Sequence, residues 1–217
     1  MSATLSMLLG TAATVGFVHT LIGVDHSLPF VVLARARGWS LRWTLLVAGV
    51  CGLAHVGTSV VLGLVGIGFG LALEQVAWVQ EIRGSIASWG LIGFGLAYMA
   101  WALFRGRSHA HAHAHTQAED DSDRSLTVWS LFILFALGPC EALFPLMMAP
   151  AWMHHWTWVV AVTTVFGAVT VVTMLAAVTA GVVGLERLPL GHLERHGHAL
   201  AGLAIAGSGL AIQALGI

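Results

Sequence analysis

The chain has 217 residues, of which 58% are hydrophobic and only 9% are charged. A soluble domain carries roughly 25% charged residues, so this chain lacks the polar side chains that a water-exposed surface needs. Its formal net charge of −1 disfavours a nucleic-acid partner, which requires a basic face. The composition therefore predicts an integral membrane protein, with the lipid bilayer as its partner.

Six apolar stretches are long enough to cross a bilayer as helices, which takes about 20 residues each. They show no period-2 alternation, and this favours helices over a β-barrel. We therefore expect an all-α protein with six transmembrane helices. In chain order the stretches cover residues 8–33, 43–70, 85–104, 127–150, 157–183 and 199–217.

The arginines predict the orientation in the membrane. Only Arg83 belongs to the side opposite the other eight, which follow the first, third and fifth stretches. These eight are Arg35, Arg37, Arg42, Arg105, Arg107, Arg124, Arg187 and Arg195. Basic residues accumulate in cytoplasmic loops. We therefore expect a multi-pass protein of the cell (inner) membrane with both termini outside the cytoplasm.

The two halves of the sequence match each other at an offset of 114 to 116 residues. Asp25 precedes Pro29 by four residues, as Glu141 precedes Pro145. Further matches pair Gly23 with Gly138, Trp43 with Trp158, Gly52 with Gly167, and residues 93–97 with 207–211. Because each half has three spans, the second half is expected to enter the membrane inverted relative to the first. Such inverted repeats are typical of transporters, with the binding site near the bilayer midplane.

This organisation divides the chain into three segments. Residues 1–104 form the first three-helix repeat, residues 105–126 a histidine-rich and acidic cytoplasmic loop, and residues 127–217 the second three-helix repeat. Within the loop, histidines alternate with alanine, and acidic residues follow. Histidine-rich tracts bind transition metals loosely, which predicts an auxiliary metal-binding loop; a flexible spacer is the alternative. The histidines are His109, His111, His113 and His115.

Several potential metal ligands lie inside the predicted spans. Ionisable residues at bilayer depth cost several kcal/mol each and usually have a function, although hydrogen bonding between helices is an alternative. Imidazole, carboxylate and thiolate groups suit nickel, cobalt, copper or zinc better than magnesium or calcium. The predicted metal ligands are His19, Asp25, His26, His55, Cys140 and Glu141.

The prolines predict that two of the spans are broken beside these ligands. Pro29 and Pro145 lack the N–H group that a helix would use to bind the carbonyl four residues earlier. His19 and His26 would be about 10 Å apart along a straight helix. Either the helix unwinds near Gly23, or the two histidines mark successive positions on an ion path.

The run His19-Thr20-Leu21-Ile22-Gly23-Val24-Asp25-His26-Ser27-Leu28-Pro29 resembles the signature of the nickel/cobalt transporter superfamily. The chain is most similar to its short nickel-permease-like members, described as urease accessory or sulfite-exporter-like membrane proteins, which share a segment similar to Gly138-Pro139-Cys140-Glu141. The resemblance implies that His19, Asp25 and His26 recognise metal. The commonest family pattern has four residues between the first histidine and the Asp-His pair, whereas this chain has five. The additional residue rotates His19 by about 100° about the helix.

We therefore expect a transporter of divalent transition-metal ions, Ni²⁺ or Co²⁺ first, that works by alternating access. It would be neither an enzyme nor the carrier of a tightly bound cofactor. A cytoplasmic metallochaperone and a second copy of the chain are candidate partners. One alternative is a thiol-disulfide electron relay through Cys51 and Cys140. Another is a small-anion exporter of the sulfite kind, which the lack of arginine and lysine in the expected spans disfavours.

Overall fold

A computed structural model describes residues 3–70, 73–108, 117–138, 140–187 and 196–215. Its regular structure in these ranges is helical, which agrees with the all-α prediction. A 3₁₀ turn, Val24–His26, follows the first helix. The helices are α1 (Ala3–Ile22), α2 (Leu28–Arg37), α3 (Leu41–Gly68), α4 (Leu73–Ser108), α5 (Gln117–Leu137), α6 (Leu143–Trp152), α7 (Trp156–Glu186) and α8 (Gly197–Leu215).

Five of these helices, α1, α3, α4, α7 and α8, are long and apolar enough to cross a membrane. Two shorter apolar helical segments accompany them: the Ser125–Leu137 part of α5, and α6. Many large hydrophobic side chains are exposed on the helix surfaces, as expected where lipid replaces water. Long apolar helices with exposed apolar surfaces are the features of a helical membrane protein.

Two of the expected spans are interrupted, as the prolines predict, and a third is longer than expected. The first apolar stretch divides into α1 and α2, and the fourth divides into α5 and α6. Helix α4 begins at Leu73, well before the expected residue 85, so Arg83 lies inside a candidate span, Glu74–Phe104. The segment between α4 and α5 that lies outside the described residues is 109–116.

The connection from α2 to α3 follows directly from its residues. Gly38 ends α2 with a left-handed backbone, at φ 62°, a conformation that glycine adopts without steric cost. Ser40 then precedes α3, and its Oγ accepts a hydrogen bond from the N–H of Trp43. This is an N-cap, which satisfies one of the free N–H groups at a helix start.

Helices α4 and α8 pack backbone to backbone through glycines. A Cβ atom added to Gly202 would lie 2.6 Å from the carbonyl oxygen of Gly95, and one added to Gly209 would lie 2.7 Å from that of Ser88. Small residues permit this close approach in membrane proteins. A Cβ atom added to Gly93 or Gly207, two residues before Gly95 and Gly209, would meet no described neighbour within 4 Å.

Helices α3 and α7 cross through a reciprocal pair of contacts. Gly52 on α3 faces Val171 on α7, and Gly167 on α7 faces Val56 on α3. At an offset of 115 positions, Gly52 corresponds to Gly167 and Val56 corresponds to Val171, so the two contacts are equivalent. Helix α1 packs on α7, and α5 packs on α3. In each half of the sequence, the helix before the break therefore packs against the long middle helix of the other half.

Candidate metal centre

The first break brings two distant histidines together. Helix α1 ends at Ile22, and the N–H of His26 donates to the carbonyl of Gly23 in the following 3₁₀ turn. The ring centroids of His19 and His26 are 4.9 Å apart, about half the separation along a straight helix. The chain thus unwinds near Gly23, the first of the two alternatives that the sequence allowed.

The second break places Cys140 in the interior. Helix α5 ends at Leu137 and α6 begins at Leu143. The N–H of Phe144 donates to the carbonyl of Glu141, so this carbonyl, which Pro145 cannot bind, still has a partner. Cys140 is completely buried, whereas Glu141 is exposed. The thiol of Cys140 therefore faces the interior of the protein, and the adjacent carboxylate of Glu141 lies at its surface.

Three of the predicted ligands form a compact group. One potential ligand atom from each of His19, His55 and Cys140 lies within 4.8 Å of the others. The Sγ atom of Cys140 is 3.8 Å from Nε2 of His19. His55 is 3% exposed and lies near the middle of α3, with 14 residues before it and 13 after it in the helix. Helix α1, helix α3 and the second break thus each supply one donor to the same part of the interior.

His26 lies beside this group and is held by Asp25. Its Nδ1 atom is 3.1 Å from Oδ1 of Asp25 and 3.2 Å from the carbonyl oxygen of Gly23. Its ring is edge-on to the rings of His19 and His55. Asp25 is therefore placed to orient an imidazole, as carboxylates do for metal-binding histidines.

Two buried imidazole nitrogens lack a hydrogen-bond partner among the described residues. They are Nε2 of His26 and Nε2 of His55. The Nδ1 atom of His55 is 3.2 Å from the carbonyl oxygen of Phe135. A neutral imidazole donates from one nitrogen and presents a lone pair on the other. Donation from Nδ1 therefore leaves Nε2 of each ring available as a metal ligand.

Glycines at both breaks make room for these rings. A Cβ atom on Gly23 would collide with Nδ1 of His26, and one on Gly138 would lie 3.1 Å from Nδ1 of His55. Gly23 and Gly138 are the pair that the internal repeat matched. Each break therefore combines an end of helical structure with an imidazole packed against the backbone.

The remaining predicted ligands lie elsewhere. Glu141 is not part of the three-residue group, although it has an electrostatic interaction with Cys140. His109, His111, His113 and His115 lie outside the described residues. The two cysteines are free thiols that belong to separate hydrophobic clusters.

The hydrogen bonds of Arg83 are not predictable from the sequence, which indicates only a residue on the side opposite the other arginines. Its Nη2 donates to the carbonyl oxygens of Ala136 (2.9 Å) and Gly138 (3.4 Å) and to Oγ1 of Thr58 (3.1 Å), and its Nη1 donates to Oε1 of Gln80 (2.8 Å). Arg83 therefore lies within a candidate span, Glu74–Phe104, although the sequence predicts it outside the spans. These described hydrogen bonds all go to protein acceptors, so they give no support to an anion site.

The donor set suits a transition-metal ion. Imidazole nitrogen and thiolate sulfur bind nickel, cobalt, copper and zinc, whereas magnesium and calcium require mainly oxygen ligands. Comparisons with protein-family models, curated protein sequences and solved structures found no match to this chain. The chemistry of the site is therefore the basis for assigning a function.

Proposed function

We propose that this protein is a membrane transporter of divalent transition-metal ions, with Ni²⁺ and Co²⁺ as its first candidate substrates. The proposal depends mainly on one observation: donor atoms of His19, His55 and Cys140 lie within 4.8 Å of one another inside a helical membrane protein. His26, oriented by Asp25, is the fourth ligand that we assign. Glu141, at the exposed side of the second break, is proposed to relay ions to or from the site.

We further propose that the two halves form an inverted repeat of three spans each. Three observations support this. The reciprocal contacts of Gly52 and Gly167 relate α3 to α7, both breaks carry a glycine beside an imidazole, and the matched glycines of α4 and α8 have matching surroundings. Binding sites at broken helices between inverted halves are typical of transporters that work by alternating access.

The ion path is proposed to extend to the cytoplasmic loop. The four alternating histidines at positions 109–115 would hold metal weakly, because histidine-rich tracts bind transition metals loosely. A weak site next to a tighter one exchanges ions readily. We propose that this loop passes metal between the membrane site and a cytoplasmic metallochaperone.

Metal binding and transport are tested with the purified full-length protein. Co²⁺ bound to a thiolate gives a sulfur-to-metal charge-transfer band in the near ultraviolet. We expect this band in the wild type and its loss in Cys140→Ala, while Cys51→Ala, which removes the other buried thiol, keeps it. Proteoliposomes should take up Ni²⁺ and Co²⁺, and Mg²⁺ serves as the control ion.

Two results would contradict the proposal. One is Ni²⁺ and Co²⁺ uptake that does not exceed that of protein-free liposomes. The other is a wild-type protein that binds no Co²⁺ or that keeps the charge-transfer band after Cys140→Ala. The same measurements with Zn²⁺ and Cu²⁺ rank the four ions as substrates, because imidazole and thiolate ligands also bind zinc and copper.

A further inference from the structure

Arg83 joins three helical segments at the second break. Its guanidinium contacts the last turn of α5 and the following Gly138, Thr58 on α3, and Gln80 one turn earlier on α4. Gln80 is completely buried, and Arg83 is partly buried. This is an extensive set of contacts for one charged side chain within a candidate membrane span.

The contacts have a clear physical cause at the end of α5. The last carbonyl groups of a helix have no N–H partner within the helix, and they carry a partial negative charge. In a membrane such groups must be satisfied by protein or by water in a cavity. Arg83 and Thr58 both donate to the carbonyl of Ala136, at 2.9 Å and 2.8 Å.

The same end of α5 lies beside two of the assigned metal ligands, His55 on α3 and Cys140 in the second break. The carbonyl of Phe135 contacts Nδ1 of His55, and Gly138 packs against the same imidazole. Cys140 follows Gly138 by two residues, and Arg83 has an electrostatic interaction with it. A shift of residues 135–138 would therefore displace both His55 and Cys140.

We infer that Arg83 is a positioning residue for the metal site: by binding the carbonyls of Ala136 and Gly138, it fixes the end of α5 so that Cys140 and His55 meet His19. This inference rests on the proposed function. In this role Arg83 strengthens metal binding without contacting the ion. Lysine is a poor substitute, because one ammonium group does not reproduce the planar set of donors that guanidinium offers.

The test compares Arg83→Gln and Arg83→Lys with the wild type in Co²⁺ binding. Partners that orient metal ligands typically contribute 10- to 100-fold to metal affinity. We expect the folded fraction of Arg83→Gln to bind Co²⁺ about 10-fold or more weakly, with a reduced charge-transfer band. Arg83→Lys should recover only part of both. Arg37→Gln is the matched control, because Arg37 is also partly buried and donates a hydrogen bond to another helix, at Tyr98. This variant should leave the band unchanged.

Thr58→Val provides a second variant if Arg83→Gln does not fold. It removes a donor to the same carbonyl of Ala136 while keeping the size of the side chain. We expect a weaker reduction of affinity and of the band in the same direction. Folded Arg83→Gln, or in its place folded Thr58→Val, with wild-type affinity and an unchanged band would overturn the inference.

The outcomes separate this inference from the proposed function. If the wild type itself gives no thiolate band with Co²⁺, the metal site is wrong, and Arg83 has no ligands to position. If the wild type gives the band and the Arg83 variants keep it, the transporter proposal stands and only the role of Arg83 fails. A loss of thermal stability with an unchanged band in the folded protein would mean that Arg83 only stabilises the helix end.

Discussion

The arrangement of Asp25 and His26 assigns them different roles. The sequence predicts both as metal ligands, because both are ionisable and adjacent. In the structure, Asp25 contacts Nδ1 of His26, and Nε2 of His26 is the nitrogen without a described partner. Asp25 is thereby placed to hold the imidazole ring, and His26 to present its other nitrogen to an ion.

Replacing Asp25 should weaken metal binding without removing a ligand of the three-residue group. We expect Asp25→Ala to raise the Kd for Ni²⁺ or Co²⁺ by about 10- to 100-fold. Asp25→Asn keeps an oxygen that accepts from His26 and should lose less. Competition with a chelator of known affinity measures both. Glu74→Gln, at an exposed position in the first turn of α4, is the control; a wild-type Kd for Asp25→Ala would contradict the role.

The close packing at Gly23 leads to a second prediction. An alanine Cβ at this position would collide with the His26 ring, so the ring must move away from Asp25 and from the other imidazoles. We expect Gly23→Ala to reduce metal uptake at least about 10-fold, in keeping with the loss of an orienting contact. Gly10→Ala adds the same methyl group in α1, where no described atom lies within 4 Å.

Uptake by Gly10→Ala should therefore equal that of the wild type. Equal uptake by Gly23→Ala would show that the position of His26 does not matter for transport.

At the scale of the helices, the sequence predicts the breaks well because their causes are local. A missing N–H at Pro29 or Pro145 and a glycine six or seven residues earlier act on the same stretch of backbone. The start of α4 is not predictable in the same way. Gln75, Gln80 and Arg83 lower the hydropathy of its first turns, and the partners that accommodate Arg83 come from α3 and α5.

The glycine contacts between α4 and α8 predict an asymmetric response to alanine. In Gly202→Ala the Cβ would lie 2.6 Å from Gly95 O and from Met99 N, and the two backbones must separate. Overpacking of this kind costs about 1–3 kcal/mol. Gly207→Ala, on the same helix, meets nothing within 4 Å among the described atoms and should be neutral or slightly stabilising, because alanine favours helix.

Thermal unfolding in one detergent compares these two variants directly. We expect Gly202→Ala to lower the Tm by several degrees and Gly207→Ala to leave it unchanged or raise it. Equal Tm values for the two variants would contradict the close packing of α4 on α8.

At the scale of the whole molecule, composition alone predicts the membrane class, and spacing alone suggests the repeat. The candidate metal centre cannot be predicted in this way, because the three residues of its compact group come from α1, α3 and the second break. Sequence spacing makes His19 a doubtful neighbour of His26, since a straight helix would separate them. The tertiary arrangement brings His19 to Cys140, 121 positions away in the chain.

The arginine distribution predicts a topology that reporter fusions can test. With Arg83 inside a candidate span, the remaining eight arginines all belong to one side. We expect reporters at both termini to be active outside the cytoplasm and a reporter inserted at residues 109–116 to be active inside it. Termini on opposite sides would exclude six crossings. Both termini inside would place residues 109–116 outside the cytoplasm and contradict the proposed exchange with a cytoplasmic metallochaperone.

The reciprocal contacts between α3 and α7 have a consequence for the direction of transport. At the offset that relates Gly52 to Gly167, the counterpart of His55 is Thr170, a buried residue whose hydroxyl has no described partner. In the proposed inverted repeat, the two matched positions would therefore carry an imidazole and a hydroxyl. A transported ion that leaves toward one face of the bilayer would then pass different chemical groups from an ion that leaves toward the opposite face. If the energy barriers for ion release toward the two faces differ, transport would be faster in one direction than in the other under metal gradients of equal size and opposite direction.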